Sequence, residues 1–276
     1  MRSEMLRRLF LLGAISAVCA TVVEAQGGAG DSAARSATRP LRYHVELGGF
    51  YQQLDNSYPD WRGVNLKLQR SSPRYTPFVF FSSQSREAGS QQSYGAGSYI
   101  VVNRHAYAIA GFSFAPGTDP VLYPKLRWDV QGLVDFLPVR GLVLSAGLTE
   151  LRYSAPSAGR IVSAGSMYYR GHAILSGVVR FNTDKPSGAH SRSASFGGQY
   201  GSQGRAWVGG EVTTGNEAYR VLSDTPFDAR FRGTSASAFL QKWLAPRYGF
   251  VARYDFENKY GAYHRNGLTL SYFVDF

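Results

Sequence analysis

The residues of this chain best suited to chemistry are its five histidines and a set of charged side chains spaced two apart. His190 is followed by Ser191 and Ser193, and His264 lies just before the final apolar segment. A histidine near a serine is the minimal pairing of a hydrolase, in which imidazole takes the hydroxyl proton as the oxygen attacks. Two features weigh against that reading. Neighbours in an extended segment point to opposite sides, and the chain contains no G-x-S-x-G motif. His44 stands at a strand start, and His105 and His172 stand in short turns. A lipid hydrolase with His190 or His264 as base is therefore the enzymatic alternative, and no catalysis is the preferred reading. No His-x-x-x-His, no acidic calcium loop and no mature cysteine is present, so the sequence calls for no metal and no cofactor.

The charged residues fall into i, i+2 sets. Asp129 and Asp135 stand with Arg127 and Gln131, and Asp255 and Glu257 stand with Arg253. Such pairs could serve as general acid and base, but on strands they share one face. A charge network with Lys67 and Arg180 along one wall is the simpler expectation. Glu46 and Asp275 complete the candidates for a polar inner surface: Glu46, Lys67, Arg127, Asp129, Gln131, Asp135, Arg180, Arg253, Asp255, Glu257 and Asp275.

The elements that must position these residues are strands. The chain holds 18 Tyr, 17 Phe, 4 Trp and 31 Gly, with a formal net charge of +11. Residues 1–25 carry Arg2, Arg7 and Arg8 before an apolar run, and Val23-Glu24-Ala25 offers a small-residue cleavage site, which reads as a signal peptide. Cys19 raises a lipid-anchor alternative, which Val18 directly before it disfavours. Residues 26–40 are small and polar, a flexible periplasmic leader. An exported chain without zinc spacing, helix-turn-helix pattern or lysine tract gives no support to nucleic-acid binding.

From residue 41 to 276, segments of about ten residues alternate in polarity between Gly, Pro, Asn and Asp clusters. They are expected near 43–54, 60–70, 78–87, 92–102, 105–114, 125–136, 141–153, 160–169, 172–181, 189–200, 205–214, 231–243, 248–257 and 265–276. A tilted strand of about 9–11 residues crosses a bilayer, whereas soluble strands average about five or six. Strands six, thirteen and two sort cleanly into an apolar and a charged face, while strands three, seven and twelve do not. The odd connections carry the long segments and the even ones are mostly tight, the pattern of short periplasmic turns and long outer loops. The expected fold is all-β: a transmembrane, antiparallel, up-and-down barrel of about 14 strands, with 12 as the lower alternative.

Arginine occurs in every expected short turn: Arg70 and Arg74, then Arg104, Arg140, Arg170, Arg205 and Arg247. Such a ring would meet anionic headgroups, though an arginine-rich chain with polar turns would show the same. In the last segment Leu268, Leu270, Tyr272, Val274 and Phe276 share one parity. A terminal Phe after alternating apolar residues resembles the signature by which bacterial outer-membrane barrels are recognised by the barrel-assembly machinery.

The barrel portion also resembles the YaiO family of outer-membrane β-barrels over residues 41–276. The likeness rests on "SSPRYTP", "PVLYPKLRWDVQG", "VLSAGLTELRY" and "GFVARYDFENKYGAYHRNGLTLSYFVDF", in that order. It implies outer-membrane location and fold, in a Gram-negative-type bacterium, and no particular activity. The partners expected are outer-membrane lipids, lipopolysaccharide and the assembly machinery. A porin-like passage of a small solute or polysaccharide is the functional expectation, with a plugged, surface-interacting barrel as alternative. The loops bearing Tyr123, and Tyr219 with Phe227, are the candidates for an inner plug or a ligand shelf.

Overall fold

The computed structural model describes residues 43–55, 59–86, 89–117, 123–153, 157–186, 188–217 and 231–276. The segments 1–25 and 26–40, and the loop residues Tyr219 and Phe227, lie outside the described residues.

Fourteen antiparallel strands form one closed barrel in which every strand pairs with its neighbours in sequence and β1 pairs with β14. They are β1 (Tyr43–Leu54), β2 (Trp61–Arg70), β3 (Tyr75–Arg86), β4 (Gly89–Val101), β5 (Ala106–Phe114), β6 (Leu126–Asp135), β7 (Leu142–Arg152), β8 (Ala158–Arg170), β9 (Ala173–Lys185), β10 (His190–Ser202), β11 (Ala206–Glu217), β12 (Phe231–Ala245), β13 (Tyr248–Lys259) and β14 (Tyr263–Asp275). Closure removes every sheet edge, which lipid requires because it offers the backbone no hydrogen bonds. The seam is completed past the strand ends: Tyr43 N–H donates to Phe276 C=O at 2.8 Å, and Phe276 N–H donates to Tyr43 C=O at 2.9 Å.

Polarity across the wall is inverted relative to a soluble protein. On β14, Leu268, Leu270 and Tyr272 are half exposed on the outer surface, while Thr269, Ser271 and Phe273 are buried inside. Outward Val162, Val179, Phe181 and Phe196 continue this apolar surface around the barrel. The connections after even strands lie at the rim that holds Tyr43 and Phe276, which faces the periplasm by the rule that turns there are short. Alternation of loop length is a tendency only. β3 and β4 are separated by residues 87–88, on the long-loop side, whereas β6 and β7 are joined on the short side by Phe136–Gly141.

The strands whose faces do not sort by polarity have a structural explanation. β3 turns Phe78 and Phe80 inward, β7 turns Val143 inward, and β12 turns Phe239 and Trp243 inward. Apolar residues then occupy both faces, and alternation of polarity disappears even though alternation of direction does not.

Candidate functional site

The interior is layered. Near the periplasmic rim, Tyr107, Leu133, Val143, Met167, Ile174, Trp207, Phe239, Trp243, Val251 and Phe273 form one buried apolar cluster. They come from β5 through β9 and from β11 through β14, so the cluster takes side chains from nine of the strands. Phe273 is 0% exposed, and Leu133, Trp207 and Val251 are each 1% exposed. Trp243 packs edge-on against Phe273 at 5.2 Å between ring centres. Burial to this degree keeps water off these side chains.

Polar groups adjoin the cluster on the β1 side. His44 and Asp275 are cross-strand partners, with Nδ1 2.7 Å from Oδ1. Trp243 Nε1–H donates to the other Asp275 oxygen at 3.3 Å. A hydrolytic histidine needs a hydroxyl on its remaining nitrogen, whereas His44 Nε2 faces the Glu46 carboxylate at 3.8 Å. Glu46 is itself the register partner of Lys67, whose ammonium lies 5.7 Å from the centre of the Phe78 ring. Asp135 is approached by His105 Nδ1 at 3.2 Å.

The middle layer holds pairs built on single strands. Arg127 Nε and Nη2 both donate to Asp129 at 2.8 Å, and Thr149 Oγ1 donates to it at 2.5 Å. Arg253 Nε donates to Asp255 at 2.7 Å. Arg180 donates to Ser195 at 2.6 Å, Ser195 meets Thr213 at 2.8 Å, and Thr213 donates to Glu211 at 3.3 Å. Gln131 sits between its partners Ile109 and Gly147. Spacing of i, i+2 places donor and acceptor on one face about 6–7 Å apart along the strand, within reach of an arginine side chain. The charges are thereby held along the wall.

Toward the outer rim, Glu257 accepts from Arg265 at 2.7 Å, with Lys259 Nζ at 3.3 Å. The Trp61 ring has the Arg86 guanidinium 3.5 Å and the Arg265 guanidinium 5.0 Å from its centre, a doubled cation–π contact. The connection between β5 and β6 turns inward at Tyr123, which is buried. Its N–H donates to Gln91 Oε1 at 2.8 Å, and its hydroxyl meets Ser82 Oγ at 2.8 Å.

The remaining histidines are scattered. His190 points outward beside Thr183 while Ser191 points inward toward Asn182, so the sequence neighbours lie on opposite sides of the wall. His264 is exposed, near the Phe256 ring, and His172 meets the Gly201 carbonyl at 3.2 Å. Arg70, Arg74, Arg104, Arg140, Arg170, Arg205 and Arg247 are exposed, at or beside the short turns.

The family model of the YaiO membrane beta barrel domain matches residues 42–220, well over half of the chain. The chain belongs to the YaiO membrane β-barrel family. No curated protein matches it in sequence. Its fold is similar to a bacterial polysaccharide outer membrane secretin, at TM-score 0.57 and 12% identity, over 85% of this chain and 98% of that one. It is also similar to Omp33 of Acinetobacter baumannii, at TM-score 0.49 and 11% identity over 86% and 100% of the two chains. The anion-selective porin of Comamonas acidovorans is similar at TM-score 0.48 and 10% identity, over 86% and 99%. This YaiO barrel is thus an outer-membrane protein.

Inside the YaiO barrel a set of residues is prominent that polarity patterning does not reveal. Phe50 has Gly63 as its register partner, Phe78 has Gly97, Phe80 has Gly95, Phe239 has Gly209 and Phe273 has Gly249. In each pair a Cβ on the glycine would come within 2.7 Å of the aromatic ring. The rings therefore lie over bare backbone, covering it and packing flat on the wall. A glycine two strand lengths away in sequence is the signal, and it becomes readable only once the register is known.

Proposed function

We propose that this protein is a non-enzymatic outer-membrane barrel closed near its periplasmic end, acting at its outer face as a surface-interaction barrel. The observation that carries this reading is the apolar cluster built on Trp207, Phe273 and Leu133, each at most 1% exposed. A hydrated solute crossing this layer would have to shed its water against hydrocarbon, which costs several kcal/mol for any polar group. The Arg127–Asp129 and Arg253–Asp255 pairs hold their charges along the wall, where they offer a passing solute no unpaired ion.

Passage of a small solute or polysaccharide is the second reading. It is favoured by the charges of both signs in the middle layer, which suit a polar eyelet if the cluster moves aside.

Recording in planar lipid bilayers separates the two. Closure predicts a silent wild-type protein and discrete conductance steps from the Trp207→Ala/Phe273→Ala double variant. Steps from the wild-type protein would reject closure and support passage. Heat-modifiable migration on a gel, run for both proteins, verifies that each is folded.

A further inference from the structure

The outer-leaflet end of the wall from β7 to β10 carries an outward basic patch that neither the proposed closure nor the family assignment uses. Its rows follow from the register. Arg152 pairs with Ala158, and Ala158 pairs with Lys185. In the next row Glu150 pairs with Arg160, Arg160 with Thr183, and Thr183 with His190. In the row below, Val162 pairs with Phe181 and Phe181 with Arg192. Arg152, Arg160, Lys185, His190 and Arg192 are all exposed. The acidic residue among these rows is Glu150, which binds Arg160 at 2.5 and 2.8 Å while the Arg160 side chain stays 60% exposed. Directly beneath, the wall is apolar, with Val162 48%, Val179 41%, Phe181 52% and Phe196 65% exposed.

Elsewhere at the same rim the exposed positions include Gln53, Gln92 and Asn266, with Arg62, Lys125 and Arg232 as separated cations. The wall from β7 to β10 instead groups five basic side chains on four adjacent strands, above a hydrocarbon-compatible surface.

We propose that this patch binds the phosphorylated headgroup of lipid A in the outer leaflet, with its acyl chains lying along Val162, Phe181 and Phe196. Guanidinium groups match phosphate oxygens in two-point hydrogen bonds, and neighbouring strands about 4.8 Å apart present several at once. The vertical order of cations over apolar side chains matches the order of phosphates over acyl chains in a single amphiphile. An acidic protein would find no reason for the apolar half.

The test is native mass spectrometry of the folded barrel in detergent, with bisphosphorylated lipid A, its dephosphorylated form, and inorganic phosphate as probes. The wild-type protein is expected to retain bisphosphorylated lipid A and to bind the dephosphorylated form at least about tenfold more weakly. The Arg160→Ala/Lys185→Ala/Arg192→Ala variant is expected to lose about a hundredfold in affinity, and Arg62→Ala none. Equal binding of the two lipid A forms by the wild-type protein overturns the proposal, whatever the variants do. Equal binding by the triple variant overturns it too, as does displacement of the lipid by excess inorganic phosphate. The outcome is independent of whether the barrel conducts.

Discussion

Tyr43 and Phe276 clasp the two ends of the barrel: each donates a backbone hydrogen bond to the other, at 2.8 and 2.9 Å, and their rings stack at 5.6 Å between centres. The pair lies at the periplasmic end of the seam between β1 and β14, where the register runs from His44–Asp275 to Leu54–Arg265. The backbone bonds belong to any residue at position 276, whereas the stacked ring belongs to Phe276 alone.

Phe276→Ala is therefore expected to weaken the seam by about 1 kcal/mol, the scale of an aromatic pair. The readout is the fraction of heat-modifiable protein after folding into vesicles. We also propose that Phe276, with Leu268, Leu270, Tyr272 and Val274, is read during assembly. In cells the variant should then reach the outer membrane less well than Gln131→Ala. Equal levels of the two would remove the recognition role.

The glycine–aromatic pairs make a sharp comparison. A Cβ at Gly95 would meet the Phe80 ring at 2.2 Å and the Phe112 carbonyl at 2.8 Å, while one at Gly132 meets nothing within 4 Å. Gly95→Val should lower stability by about 2–3 kcal/mol through overpacking, and Gly132→Val by less than about 0.5 kcal/mol. Urea titrations followed by tryptophan fluorescence would show this, and equal midpoints would refute the packing account.

Glu257 is the shared acceptor for Arg265 and Lys259, and its side chain is 9% exposed. Glu257→Gln keeps the shape but leaves two buried cations facing a neutral amide. A loss of about 3 kcal/mol is expected, partly recovered in the Glu257→Gln/Lys259→Met double variant. An unchanged unfolding midpoint for the single variant would mean that water solvates this rim.

Tyr123 tests how firmly the chain is held inside as it enters β6. Tyr123→Phe removes the hydroxyl contact with Ser82 but keeps the backbone bond to Gln91, so a cost of about 1 kcal/mol is expected. Tyr123→Ala should expose the connection to externally added protease at least about tenfold faster. Identical cleavage rates would show that the backbone bond alone anchors it.

Much of the architecture is legible in the chain because it is local. Strand length, alternation and turn residues each span about ten residues, and they are enough to place all fourteen strands within a few positions. The inward or outward direction of Arg127, Asp129 and Arg253 follows from the same period of two. Tertiary structure decided what those directions mean. That Phe273 from β14 joins Leu133 from β6 in one cluster depends on how far the sheet shears before it closes, a property of the whole ring. That Phe80 lies over Gly95 depends on the β3–β4 register, and that Arg160, Lys185 and Arg192 rise together on one outer wall depends on three registers in succession. Local periodicity gives each side chain a side of the wall. Only closure and register give it neighbours, because those neighbours come from other strands.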